Sequence, residues 1–283
     1  MKVNGKTAVC GIFGFPVKHS FSPRMHNAAF ARYGLDYIYV PFEVSPAMLK
    51  KAVDGIRSMG LRGVNVTIPH KVAVVRHIDW QSPEALATGA VNTLVNENGI
   101  IKGYNTDGAG FTESLEKDLG FSPAGKPVFV LGAGGAGRAV SASLVLRGAS
   151  VIYLTDPDDK RAKALIRELG KIKGASELAF IPSADDKRKK ECLLASLLLV
   201  NASPVGMKKD GMPVNPAYLH RGLKLYDIIY NPHKTPLMEA AAKKGIKTAN
   251  GLGMLIRQGM LSFSLWTGLM PDYNVMKKGL DIK

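Results

Sequence analysis

Residues 63–71 read "GVNVTIPHK". Val64, Val66 and Ile68 alternate as one face of a half-buried strand, which leaves Asn65 and Thr67 together on the other. Lys71 follows just past the strand end. An amide, a hydroxyl and an amine delivered to one place can orient a polar ligand and move a proton. A lysine does acid–base work when partial burial and a nearby carboxylate tune it. Asp107, in "GYNTDGAGF", is the obvious acid, although an acid in a loop also serves to cap helices. Asn92, in "GAVNTL", sits on a strand just upstream. Ser20 and Ser22 stand two apart at an expected helix start, where hydroxyls, amides and dipole together suit a carboxylate. Ser22 reads equally as the N-cap of that helix.

A second constellation is built on glycine. "VFVLGAGGAGRAV" places Gly132, Gly134 and Gly137 as G-x-G-x-x-G after an apolar strand and at a helix start. In that context the pattern is the fingerprint of a dinucleotide site, with Gly132, Ala133, Gly134, Gly135, Ala136 and Gly137 as the candidate cofactor-binding turn. The first glycine permits the tight turn, the second lets the backbone approach a pyrophosphate, and the third allows helix to pack on strand. The next strand, "VIYLTDPDD", ends at Asp156, 19 residues beyond Gly137 (156 − 137). An acid there accepts from both ribose hydroxyls of NAD and repels the 2′-phosphate of NADP. Asp158 is a candidate at the same place, with helix capping as the alternative for both acids. The residues by themselves favour NAD. A nicotinamide enzyme that oxidises an alcohol also needs a group to take the hydroxyl proton, which Lys71 with Asp107 would supply.

These groups need an alternating α/β frame. "KTAVCGIFGFP", "DYIYVPFEV" and the 63–68 segment read as strands, separated by helices that start at Ser-Pro and stop at Gly34 and Gly60. A short helix is expected from about Val72 to His77, and then a hairpin turning at Asn98-Gly99. "FSPAGKP" reads as a joint before a fresh βαβ unit, with further strands at "LAFIP", "LLLVNASP" and "LKLYDIIYN". A last helix is expected in "GMLIRQGMLSFSLWTG". The fold class is α/β: an N-terminal α/β domain over 1–107, a Rossmann-like doubly wound dinucleotide domain over 108–250, and a C-terminal segment 251–283 whose helix returns to the first domain.

Composition narrows the partners. With 46% hydrophobic and 22% charged residues the chain reads as an ordinary globular protein. The most apolar run, "LLASLLLV", is too short for a bilayer, and the N-terminus lacks a signal-peptide core. Cys10 and Cys192 without CxxC spacing fit reduced thiols in the cytoplasm, and six histidines without HxxxH or HExxH spacing argue against a metal. The net charge of +15 raises nucleic acid as a partner, yet the basic residues are scattered apart from "KRKK" at 187–190 and short pairs such as those at 243–244 and 277–278, and no RNA- or DNA-binding motif accompanies them. A basic surface that favours small anions is the simpler reading.

Eight segments, "HSFSPRMHNAAF", "GVNVTIPHK", "TGAVNTL", "GYNTDGAGF", "GAGGAG", "NASPVGM", "YDIIYNPHKTPLM" and "NGLGMLIRQG", together resemble the ordered motif set of shikimate dehydrogenases. The resemblance implies reversible, NADPH-dependent reduction of 3-dehydroshikimate to shikimate, a step towards chorismate and the aromatic amino acids, by a monomer or homodimer. It implies Lys71 and Asp107 as the catalytic pair and Ser20, Ser22 and Tyr230 as binders of the substrate carboxylate. Thr67, Asn92, Asp107 and Gln258 match the contacts to ring hydroxyls, Asn65 supports them, and Gly251 lies where the nicotinamide is approached. One departure stands out. NADP-using members typically carry Asn-Arg-Thr where this chain has Asp156, Pro157 and Asp158, so the arginine clamp for the 2′-phosphate is missing. That resembles the NAD-using quinate/shikimate branch, whereas the Ser-x-Ser of Ser20 and Ser22 favours shikimate over quinate. Methylenetetrahydrofolate dehydrogenases share the dinucleotide fold and a lysine but lack "NTDG" and Ser-x-Ser. A non-catalytic nucleotide- or nucleic-acid-binding module would have no use for Lys71 and Asp107 together.

Overall fold

The computed structural model describes residues 3–174, 176–208 and 211–280, so the end of the C-terminal segment, 281–283, lies outside the described residues. In chain order the first elements are β1 (Ala8–Gly14), α1 (Ser22–Arg32), β2 (Tyr37–Glu43), α2 (Leu49–Ser58), β3 (Gly63–Val66), β4 (Trp80–Gln81), α3 (Pro83–Thr88), β5 (Thr93–Glu97), β6 (Ile100–Tyr104) and α4 (Asp107–Leu119). There follow β7 (Val128–Leu131), α5 (Gly135–Leu146), β8 (Val151–Thr155), α6 (Asp159–Leu169), β9 (Glu177–Phe180), α7 (Asp186–Leu194), β10 (Leu198–Asn201) and β11 (Lys224–Asp227). The chain ends with α8 (Pro236–Lys243), β12 (Thr248–Asn250), α9 (Leu252–Thr267) and α10 (Tyr273–Lys278). Two units result: Met1–Gly110 with Ile256–Lys283, and Phe111–Leu255.

The first unit carries a mixed sheet in the order β2-β1-β3-β5-β6-β4. β1 runs parallel to β2 and β3, while β5 is antiparallel to both β3 and β6. The hairpin between β5 and β6 turns at Asn98 (φ 54°) and Gly99 (φ 91°), the two left-handed positions that a type I′ turn demands. Leu49, Val53 and Ile56 of α2 pack with Phe13, Val64 and Val66 in an aliphatic core. A separate aromatic cluster joins His26 and Phe30 of α1, Tyr39 of β2 and Phe263 and Trp266 of α9. Trp266 Nε1 donates to the Leu94 carbonyl at 3.0 Å, and a Cβ at residue 63 would stand 2.1 Å from that nitrogen. Only glycine fits there.

One local expectation fails. The N-cap of α1 is Phe21, with no side-chain cap; Ser22 is the first helical residue. Phe21 already has helical backbone angles, φ −82° and ψ −13°, so Ser22 lies inside the first turn and not at its mouth.

The second unit holds a six-stranded sheet, β12-β11-β10-β7-β8-β9, with every pairing parallel. Alternate residues of β7 enter different cores: Val128 and Val130 pack with Val140 and Leu144, while Phe129 and Leu131 pack with Leu193 and Leu237. Burial on both faces explains the unbroken apolar runs. The chain moves outward in opposite directions from β7 and β10, so the order reverses between them. This is the doubly wound arrangement, whose ligand crevice lies at the carboxyl ends of the strands flanking that switch.

Candidate active site

In the first unit, Lys71 Nζ lies 2.6 Å from Asp107 Oδ2, and both side chains are largely withdrawn from solvent, 15% and 6% exposed. The lysine is placed by the short segment after β3, where the Ile68–Pro69 peptide is cis and the Val91 amide donates to the Lys71 carbonyl at 2.8 Å. Asp107 begins α4, yet its carboxylate does not serve merely as a cap. Asn92 Nδ2 donates to Asp107 Oδ1 at 3.0 Å and to Gln258 Oε1 at 3.2 Å. The Thr106 amide donates to Asn92 Oδ1 at 2.8 Å, which fixes which way the Asn92 amide points. Gln258 is 9% exposed on α9, so it is no surface helix residue.

Asn65 reaches the same cluster from β3. Its Nδ2 donates to the Asn92 carbonyl and Thr93 Oγ1, both at 3.1 Å, and to Ser262 Oγ at 3.0 Å. Its Oδ1 accepts from the Tyr39 hydroxyl at 2.8 Å. Burial drives the phenol's pKa well above the ordinary tyrosine value, so it stays neutral. Thr67 is half-buried beside the loop. The Ser22 amide donates to Ser20 Oγ at 3.3 Å; Ser22 is buried and Ser20 only partly so. The structure therefore joins Lys71, Asp107, Asn92, Gln258 and Asn65 in one hydrogen-bonded region that runs on to Tyr39, while Ser20 and Ser22 bond each other. Chemically it offers an amine held against a carboxylate, flanked by amides and hydroxyls.

The second unit supplies a different kind of site. Gly132 sits at φ +106°, and a Cβ there would approach the Ala202 carbonyl oxygen to 2.8 Å. At Gly137 a Cβ would come within 2.1 Å of the Gly132 oxygen. Gly134 faces open space, and as the N-cap of α5 it has no side chain to cover the first amides. Those amides and the helix dipole form a cradle that fits a pyrophosphate. Asp156, 6% exposed, ties the end of β8 to this turn: Oδ2 accepts from the Ala133 amide at 2.7 Å and Oδ1 from the Asp158 amide at 2.8 Å. Asp158 caps α6 by accepting from the amides of Lys160 and Arg161. Arg161 Nη1 lies 3.9 Å from Asp156. A cavity of about 270 Å³ opens beside Gly132 and Asp156, lined also by Pro157, Ser183, Lys189 and Ser203. Tyr230 is half-buried, which raises its phenol's pKa. Gly251 is obligatory: a Cβ would stand 1.9 Å from the Ile228 oxygen.

Residues 12–94 match the shikimate dehydrogenase substrate binding domain, and residues 251–278 the shikimate 5′-dehydrogenase C-terminal domain. A shikimate dehydrogenase (NADP(+)) of Desulforamulus reducens is 45% identical over 282 residues, 99% of this chain and 96% of its own length. The chain belongs to the shikimate dehydrogenase family. Among solved structures of comparable fold, shikimate 5-dehydrogenase from Listeria monocytogenes, in complex with shikimate and NAD, is 35% identical with a TM-score of 0.90 and 98% of each chain covered. The quinate dehydrogenase of Corynebacterium glutamicum, in complex with NAD, is 31% identical with a TM-score of 0.88, covering 96% of this chain and 98% of its own.

Within this shikimate dehydrogenase framework, several residues that spacing did not reveal belong to the clusters. Tyr39, Thr93, Thr106 and Ser262 complete the side-chain network of the first unit. Ser183, Lys189 and Ser203 line the cavity of the second. Lys189, within the "KRKK" run that looked like a solvated charge cluster, is 19% exposed on α7. Among the described residues no helix is long and apolar enough to cross a membrane, and Cys10 and Cys192 are buried free thiols.

Proposed function

We propose that this protein catalyses the reversible, nicotinamide-dependent reduction of 3-dehydroshikimate to shikimate, in the cytoplasm, on the route to chorismate. The observation that carries the reading is the Lys71–Asp107 pair at 2.6 Å, in a chain of this family. In the reducing direction Lys71 donates a proton from Nζ to the oxygen of the reacting carbonyl; in the oxidising direction Nζ takes it back. Asp107 holds that ammonium in place and presents a carboxylate to a ring hydroxyl. Asn92 and Gln258 fix Asp107 and orient the ring, and the half-buried Thr67 hydroxyl adds a further contact. Ser20, Ser22 and Tyr230 take the substrate carboxylate.

The bound dinucleotide supplies or removes the hydride. It is held by the amides of Gly132–Gly137, by Gly251, which keeps the backbone open beside Ile228, and by Asp156 at its ribose. Each Asp156 oxygen already accepts one backbone N–H but retains a lone-pair site for a ribose hydroxyl. A 2′-phosphate at the same place would meet a fixed, buried carboxylate, and Pro157 stands where a clamp would need a guanidinium. NAD is therefore the proposed cofactor, although the Desulforamulus relative carries NADP(+) in its name.

The test is a matrix of shikimate and quinate, each with NAD and NADP, read as kcat/KM. Shikimate with NAD is expected to lead. A lead for NADP would overturn the cofactor assignment. A lead for quinate would favour the second reading, a quinate/shikimate dehydrogenase, for which the Asp-Pro-Asp segment is the supporting observation.

A further inference from the structure

The second unit has a basic cavity that the dinucleotide turn does not use. It measures about 670 Å³ and is lined by Leu219, His220, Arg221, Lys243, Lys244 and Gly245. Those residues lie just before β11 and β12, at the amino ends of a sheet whose pairings are all parallel. Gly132 and Asp156 follow β7 and β8, at the carboxyl ends. The cavity is therefore at the opposite edge of the sheet from the dinucleotide turn. No acidic residue lines it.

Cations near this edge have an ordinary explanation, because helix C-termini attract positive charge. Lys244 Nζ donates to the carbonyls of Pro216, Ala217 and Leu219 at 2.7, 3.3 and 2.8 Å, which commits all three ammonium hydrogens. Lys224 donates to the Leu119 and Gly120 carbonyls at the end of α4. Arg221 and Lys243 are different. Both are exposed, and neither side chain has an ion pair or a hydrogen bond among the described residues. Lys243 ends α8, yet its ammonium bonds none of the last carbonyls. His220 is divided: Nε2 faces the Ser196 carbonyl at 3.1 Å and so carries the hydrogen, which leaves Nδ1 over. Elsewhere on the surface acids answer the bases, as Asp54 does Lys50, Asp79 does Arg57 and Glu97 does Lys102. At this edge the charge stands uncompensated. Burial, with repulsion from Lys247 and Lys126, holds the Lys224 amine below the ordinary lysine value.

We propose that this cavity is a second anion site, which takes a small molecule bearing two or more linked phosphates. The Arg221 guanidinium and the Lys243 ammonium supply the free donors, and Lys244, locked to the backbone, fixes the wall and adds charge. A guanidinium meets two phosphate oxygens at once, while a lysine is a mobile point charge that can follow a second phosphate. Protonation of His220 at Nδ1 adds a further donor. The volume is that of a small-ligand pocket, and walls with cations and no acids select against a neutral occupant. Because the site is at the far edge of the sheet, its ligand and the dinucleotide can be bound together. The site does not depend on which substrate the first unit reduces, and it gives part of the +15 excess a local role.

The experiment is a calorimetric titration of inorganic tripolyphosphate into the full-length protein at low salt. NAD is kept saturating so that the glycine turn is occupied, with NADP in a parallel series. A single equivalent is expected to bind. Arg221→Ser/Lys243→Ser should weaken it by about tenfold or more, as for the loss of two charge-assisted hydrogen bonds. Lys171→Ser/Lys173→Ser removes the same charge from two exposed lysines before β9, at the far end of the strand order, and should weaken it by about twofold at most. No binding, an equal loss in both double variants, or binding that either dinucleotide abolishes overturns the proposal. So does a single-stranded oligonucleotide that binds more tightly than tripolyphosphate and suffers the same loss, since the edge would then be a nucleic-acid surface. If Arg221→Ser/Lys243→Ser does not fold, the Arg221→Ser single variant decides alone, and an unchanged affinity there overturns the proposal.

Discussion

The two candidate regions work by opposite means. In the first unit everything depends on side chains that are present and interlocked: Lys71 on Asp107, Asn92 on Asp107 and Gln258, Asn65 on Tyr39 and Ser262. In the second unit, the proposed pyrophosphate cradle depends on side chains that are missing, at Gly132, Gly134 and Gly137, where backbone comes close to backbone or faces open space. Proton transfer needs a titratable group at a defined atom. Holding an anion needs only aimed amides. Deleting atoms should therefore damage the first region, and adding atoms the second.

The sharpest way to break this contrast is Lys71→Ala. Turnover should fall by about 10²-fold or more, the range of a lost general acid–base, while dinucleotide binding measured by fluorescence titration persists. Unchanged turnover would remove Lys71 from the chemistry. Gly137→Ala is the converse. A Cβ placed 2.1 Å from the Gly132 oxygen must push the turn apart, so about 1–3 kcal/mol of stability should go, together with dinucleotide affinity. Shikimate binding, followed by calorimetry without cofactor, should change little. A variant that still binds dinucleotide at full strength would show that the turn is looser than the contact distances require.

Asp156→Asn sharpens the second region further. Removing the charge while keeping an acceptor should raise the NADP-to-NAD ratio of kcat/KM by about tenfold or more, because a like-charge contact in a buried site works against binding. The shikimate KM should stay put. A ratio that does not move would mean the Asp156 charge has no part in cofactor choice.

The smallest effect concerns His26. Burial pushes its pKa down to about 3 from 6.5, so the folded protein keeps the ring neutral while the unfolded chain protonates it. Between those values the unfolded state binds more protons, and stability must drop as the pH falls below about 6.5. From pH 7 to 5.5 the contribution is about 1 kcal/mol. His26→Phe keeps a flat ring against Tyr39 and removes two buried nitrogens that lack partners. Urea melts should show a flatter pH dependence in this variant than in the wild type. Parallel slopes would mean that the ring is already charged or solvated in the folded state.

What could be read from sequence follows the same division. The glycine turn is a local device: strand, turn and helix are contiguous, and each glycine answers a steric demand of its neighbours. The strand alternation that put Asn65 and Thr67 on one face is equally local. The start of α1 is less legible. A serine followed by proline has the composition of an N-cap, yet the backbone turns helical one residue earlier, at Phe21. Lys189 was hidden for a related reason, since a run of four basic residues carries no mark of which one a helix turns inward. Ser262 and Gln258 came from the far end of the chain; the second was found by resemblance, the first not at all.

Trp266 and Ser262 have a consequence for how the molecule is made. Trp266 bonds Leu94 and, through its carbonyl, Arg62, while Ser262 bonds Asn65. All three partners leave the ribosome about 170 residues or more before the helix that secures them. At the usual pace of synthesis that interval lasts on the order of ten seconds or more. During it the nascent N-terminal sheet has an uncovered aromatic face, while the intervening 111–255 stretch has all its strands in hand. Birth order and assembly order are therefore reversed: the half that emerges first is the last to close.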